Sequence, residues 1–185
     1  MKTYARVGIT LALIAAFAAT SLAVVNAITA PKIAQYEQKV LEAALSEVSG
    51  GFTLGSSELV NDNDSIVELY YLVDDNNTTA GYILQLNGNG YGGQMTIMAG
   101  YKVDGELLDA RLLANSETPG LGKKAESPSY MQKFIGHGGS SEMPVKTNML
   151  EKSDADSVSG STVTFSAVAR TIALGSNYVK DLGGK

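Results

Sequence analysis

The sequence contains no cysteine, which removes disulfides, cysteine-ligated zinc and protein-held iron–sulfur clusters. Only one histidine is present, His137, so two-histidine metal sites are excluded and a single imidazole base is left. Tryptophan is absent, prolines number four, and charged residues make up 18% of the chain. No repeat with a period of about 20–50 residues and no long low-complexity tract is visible. Acidic residues are missing from the first 33 positions, which hold Lys2, Arg6 and Lys32. The whole chain stands at −5, so residues 34–185 carry −8. An acidic folded portion repels polyphosphate backbones and argues against nucleic-acid binding.

What remains is a chain of 185 residues, 44% apolar, enough for one ordinary domain and one appendage. The appendage comes first. Residues 7–25 carry no charge, and the next charge is Lys32. As a helix, the stretch from Val7 to Pro31 reaches about 37 Å, against a hydrocarbon core of about 30 Å. A secretory signal peptide competes, since Val25-Asn26-Ala27 has the small residues of a cleavage site. The apolar run exceeds the ~7–15 residues of a signal core, which favours an uncleaved transmembrane anchor over residues 1–31. Lys2 and Arg6 before the span place the N-terminus in the cytoplasm and residues 32–185 outside it.

Beyond Pro31, apolar positions from Ile33 to Val48 recur at helical spacing, and Gly50-Gly51 supplies a stop. Strand-like runs cover Ser65–Val73, Ala80–Leu86, Gln94–Val103 and Glu106–Leu113. Asp74–Asn77 joins the first pair, and Asp104-Gly105 makes a strong hairpin signal in the second. The glycine-rich passage Asn87–Gly93 reads as a plain connection between two hairpins. A short helix follows Ser127-Pro128 and runs to Gly136. His137 lies in a loop without an acid or nucleophile beside it and reads as a surface residue. A last helix spans about Val163 to Leu174, with Gly175 as its end. The expected fold class is α+β: an N-terminal transmembrane helix, then one antiparallel-sheet domain with packed helices.

Two segments invite chemistry. Glu117-Thr118-Pro119-Gly120-Leu121-Gly122 can present N–H groups and a hydroxyl to an anion, or simply close a strand. Asp156–Thr164 is dense in hydroxyls and leads into the last helix, as an N-cap would. The same geometry stabilises a phosphate at the helix start. On residue types and spacing alone the ordinary reading leads in each case, a turn that closes a strand and a helix cap.

These segments resemble a known family. Asp156, Ser159, Gly160 and Thr162 match a D-x-x-S/T-G-A-T pattern, with Ser161 in place of alanine. Glu117–Gly122 matches E-T-P-G-L-G in full. Asn26, Thr29, Pro31 and Ile33 fit the membrane exit, Gly90-Tyr91-Gly92-Gly93 fits a G-Y-G-G stretch with Gln94 where proline is common, and Val145-Lys146 fits a short V-K element. Asn115 stands where histidine is frequent. Taken in order, these motifs resemble the G subunit of the Rnf complex. A more distant likeness is to the C subunit of the sodium-translocating NADH:quinone reductase.

The resemblance implies FMN held covalently through a phosphoester to Thr162. Ser159, Gly160 and Ser161 would then shape the attachment turn, and Glu117, Thr118, Gly120 and Leu121 would line the flavin from the other loop. Lys146 would be a cation for phosphate or ring. It also implies an electron-carrying subunit, without independent catalysis, of a membrane complex coupling ferredoxin:NAD⁺ electron transfer to ion translocation. The implied partners are the other subunits of that complex and a flavin transferase that loads the cofactor. Two alternatives stay open: a flavinylated carrier of another extracytoplasmic electron path, and an anchored binding domain without redox function.

Overall fold

The computed structural model describes residues 2–61 and 63–183, with the side chains of residues 2 and 3 left out. The charge of Lys2, which bears on orientation, lies outside the described side chains. The chain divides into two compact units, Met1–Leu41 and Glu42–Lys185. One helix, α1 (Lys2–Val48), runs through Pro31 without a break. Its stretch from Tyr4 onward is, among the described residues, the one helix long and apolar enough to cross a membrane.

In the second unit five strands form one sheet: β1 (Thr53–Leu59), β2 (Ile66–Val73), β3 (Thr79–Asn89), β4 (Gln94–Lys102) and β5 (Leu107–Asn115). They are ordered β1-β2-β3-β4-β5 and every neighbouring pair is antiparallel. The turns follow from their residues. Asp74 Oδ1 accepts from the N–H groups of Asn76 and Thr78, at 2.9 and 2.8 Å, while Asn77 takes the positive φ of 59° that asparagine tolerates. At Asp104-Gly105, Gly105 N–H returns to the Lys102 carbonyl at 2.9 Å and Asp104 Oδ1 accepts from Glu106 N–H at 3.0 Å.

Period-2 alternation explains why the sheet is covered twice. Leu84, Leu86, Ile97, Ala99 and Tyr101 are buried on one face, in one cluster with Phe165, Val168, Ile172 and Val179 of the last helix, α4 (Thr162–Gly183). Tyr70, Ile83 and Gly100 lie on the other face, where Gly100 approaches the Val48 carbonyl so closely that a Cβ would overlap it. The last turn of α1 is held there too by the ion pair between Glu47 and Arg111. Two short helices, α2 (Pro128–Met131) and α3 (Lys152–Ser157), lie between β5 and α4.

The expected α+β class, with a long apolar first helix, is what the structure has. Four local expectations change, the first being that the helix after Ser127-Pro128 ends at Met131 instead of running to Gly136. The strand β1 was not foreseen, because TLGSSEL is exposed throughout and has no apolar alternation. The last helix does not end at Gly175 but continues to Gly183. Gly175 is mid-helix because the helix presses there on Tyr101, whose hydroxyl and ring a Cβ would meet, and Tyr101 donates to the Ile172 carbonyl at 2.8 Å. Asn87–Gly93 is not a loose connection: β3 runs to Asn89, and a tight turn closes with Gly90 N–H on the Gly93 carbonyl at 2.8 Å.

Candidate functional site

Three segments distant in sequence meet at one end of the sheet. The first is the β3–β4 turn, the second the stretch after β5, and the third the start of α4. Glu117 ties them. It is 4% exposed, and its N–H is fixed by the Asn115 side-chain oxygen at 3.0 Å. Its Oε1 accepts from Gly92 N–H at 3.0 Å, and its Oε2 from the Thr164 hydroxyl at 2.7 Å. A buried carboxylate is costly unless it is hydrogen-bonded, and here both oxygens are. Gly90 and Gly122 flank the carboxylate so closely that a Cβ on either would overlap it.

After Glu117 the chain makes a tight loop, with the N–H groups of Leu121 and Lys123 both on the Thr118 carbonyl at 3.2 Å. Gly120 supplies the positive φ of 78°, with open space where its Cβ would be. This glycine therefore serves backbone conformation, and close approach belongs to its buried neighbour Gly122.

The third segment turns at Val158–Gly160, with Gly160 at φ 82°. Ser161 gives both its N–H and its hydroxyl to the Val158 carbonyl, at 3.1 Å each. Thr162 then opens α4, and the N–H groups of a first helical turn lack intrahelical acceptors. Together with the helix dipole they form a site for an anion. Thr162 and Thr164 are separated by their surroundings. Thr164 is 2% exposed with its hydroxyl bonded to Glu117, whereas Thr162 is exposed.

These residues enclose a cavity of about 300 Å³, lined by Tyr91, Glu117, Thr118, Leu121, Gly122 and the run Gly160–Thr164. A second cavity of about 500 Å³ shares Thr162 and Val163 and is otherwise lined by Asn89, Ser166, Ala167, Arg170 and Thr171. Of the residues singled out in the sequence, Glu117, Thr118, Leu121, Gly160, Ser161 and Thr162 line the first cavity. Ser159 and Gly120 stand in its loops without lining it, and Lys146, exposed before the turn Thr147–Met149, lies outside the lining. Tyr91, Gly122, Val163 and Thr164 line it as well, although none was named as a contact. Tyr91 and Gly122 lie in the G-Y-G-G and E-T-P-G-L-G stretches, and the other two in the segment Asp156–Thr164.

Next to the site, the Tyr130 hydroxyl is buried without a partner among the described residues. Burial, and then the Glu117 carboxylate, push its pKa upward, so it stays neutral. His137 is half-buried rather than a free surface group; its Nδ1 lies 3.0 Å from the Glu142 carbonyl and helps close its own loop. No cluster of metal-ligating side chains occurs among the described residues. The cavity is lined both by polar groups, among them the Thr118 and Thr162 hydroxyls, and by the apolar side chains of Tyr91, Leu121 and Val163. Those are the two kinds of surface that a flavin mononucleotide, with its phosphate and its planar ring, would need.

Comparison with known proteins agrees with this geometry. The model of a family described as the FMN-binding domain matches residues 90–174, which include all three segments. That of the RnfG N-terminal region matches residues 1–48, the whole of α1. The chain is 26% identical to the G subunit of the ion-translocating oxidoreductase complex of Methanosarcina acetivorans, over 96% of this chain and 95% of that one. It is 30% identical to the protein of the same name from Cereibacter sphaeroides, over 89% of this chain and 79% of that one. Identity is 26% to the G subunit of the Na⁺-translocating ferredoxin:NAD⁺ oxidoreductase complex of Acetobacterium woodii, over 90% of this chain and 87% of the relative.

Proposed function

The chain belongs to the family of G subunits of ion-translocating oxidoreductase complexes, and from that premise we propose that it carries FMN covalently on Thr162 and passes electrons within such a complex. Relatives are named for ferredoxin:NAD⁺ oxidoreduction coupled to ion translocation, and this chain takes the part of a redox subunit in the same assembly. FMN, when bound, supplies reversible uptake of one or two electrons. Everything else falls to the protein.

The observation that carries the proposal is the difference between two threonine hydroxyls near the start of one helix. Thr164 is buried and bonded to Glu117, while Thr162 is exposed at the mouth of the cavity and at the positive end of α4. The N–H groups of the first turn of α4 hold the phosphate, and Gly160 and Ser161 set the turn that presents Thr162. Thr118 and Leu121 line the cavity from the other loop. Ser159 shapes the attachment turn from outside the lining. Forming the phosphoester joins the Thr162 oxygen to the flavin's phosphorus and breaks the phosphoanhydride bond of an activated flavin donor, whose other phosphate half departs. It also requires a base to take the Thr162 proton. Glu117, the one carboxylate lining the cavity, already accepts two hydrogen bonds, so the base comes from a separate flavin transferase.

The long apolar helix and the named relatives support a single-pass membrane protein. Arg6 precedes the span with no acid nearby, which favours a cytoplasmic N-terminus and an extracytoplasmic flavin domain in the cell membrane. There a covalent link keeps a cofactor that would otherwise be lost by dissociation. The test is to co-express the full chain with a flavin transferase and view a denaturing gel under ultraviolet light. A fluorescent band that disappears in Thr162→Ala supports the proposal. A dark wild-type band contradicts the covalent attachment, and the absorbance spectrum of the native protein then separates FMN bound without a covalent link from an anchored domain without redox function.

A further inference from the structure

Tyr91 is 74% exposed, yet it does not sit on a loose loop. It occupies the second position of the Gly90–Gly93 turn, whose ends are joined by a 2.8 Å hydrogen bond. The glycines on either side of it are clamped. Gly90 lies against the Glu117 carboxylate, and Gly92 lies against the Ser116 carbonyl while donating its N–H to Glu117. No side chain fits at either position, so the turn is seated on the segment after β5 and Tyr91 is held out at the rim of the first cavity. Leu121 and Val163, at 46% and 58% exposure, bring two more apolar side chains to the same cavity from two other segments. Three separate segments thus leave apolar surface exposed around one opening, beside the Thr162 hydroxyl. The second cavity meets at the same threonine but is walled by Asn89, Ser166, Arg170 and Thr171, which offer polar groups and a charge instead.

We propose that Tyr91 is the aromatic contact for the flavin ring, packing on an isoalloxazine held in the cavity of Leu121 and Val163 rather than in that of Arg170. This rests on the attachment to Thr162 proposed above. An aromatic side chain and a planar heterocycle pack favourably in offset stacking, and the clamped turn presents the phenol already in place. A phenol stacked on a flavin quenches its fluorescence. A phenyl ring at the same place still shields the ring but, being harder to oxidise, quenches less.

The test compares wild type, Tyr91→Phe, Tyr91→Ala and Arg170→Ala as flavinylated full chains in detergent micelles. Native flavin fluorescence is normalised to that of the denatured sample, and access to the ring is measured with iodide. Tyr91→Ala should be severalfold brighter than wild type and severalfold more open to iodide. Tyr91→Phe should be brighter but keep wild-type protection. A Tyr91→Ala protein that retains its label and matches wild type in both readings overturns the proposal. So does an Arg170→Ala protein that opens the ring to iodide while Tyr91→Ala does not. Absence of label on the denaturing gel is a different failure: it sinks the attachment to Thr162, and this contact with it.

Discussion

At the scale of single residues, Glu117 has the most consequence for the site, through hydrogen bonds rather than redox chemistry. Its two oxygens join Gly92, 25 positions earlier, to Thr164, 47 positions later. Sequence spacing shows neither link, because each is made only once the sheet and α4 are assembled. The resemblance implied a place for Glu117 beside a flavin, and the residue lines the first cavity, but nothing in the resemblance revealed that both of its carboxylate oxygens are hydrogen-bonded within the protein. Removing the Thr164 hydroxyl as Thr164→Val leaves a buried oxygen unsatisfied and should cost about 1–3 kcal/mol of stability. Glu117→Gln weakens the same bond from the other side. Urea unfolding of the two single variants and the double should show a coupling of about 0.5–3 kcal/mol. Strict additivity would mean that the 2.7 Å hydrogen bond contributes nothing to the closure of the site.

At the scale of elements, what the sequence made legible depended on apolar period. The strands β2 to β5 and the start of α4 were readable because buried positions alternate or recur every turn. The edge strand β1 was not, since all seven of its residues are exposed and pairing with β2 alone forms it. The short helix α3 has no buried residue and gave no period either. Gly175 misled for a different reason. Glycine after an apolar period is a stop signal, but here it answers to Tyr101 across the helix–sheet contact, in a distant part of the chain. Gly175→Ala separates the two roles. Alanine gains about 1 kcal/mol of helix propensity, while forcing a methyl onto a packed ring costs typically about 1–3 kcal/mol. With the Tyr101 ring carbon 2.9 Å and Leu86 Cδ1 3.0 Å from the added Cβ, we expect a net loss and a lower thermal midpoint. A raised midpoint would show that the contact yields easily and that Gly175 is merely tolerated.

At the scale of the whole molecule, an apolar helix and an acidic domain divide the work between holding the chain at a membrane and holding a cofactor. The first was plain from composition alone, because an uncharged run of that length is rarely anything but a span or a leader. The second was not: without the resemblance, the hydroxyl-rich approach to α4 read first as an ordinary helix cap. The proposed orientation rests on the basic residues before the span. Protease added to spheroplasts should digest residues 32–185, and protection of the domain until the membrane is broken would reverse the topology. The central claim, that FMN is linked to Thr162 and not to nearby Thr164, is tested most directly by mass spectrometry. The measurement is made on peptides from the full chain expressed with a competent transferase. The account predicts the added mass of FMN on Thr162 and none on Thr164; the mass found on Thr164, or on neither, would contradict it.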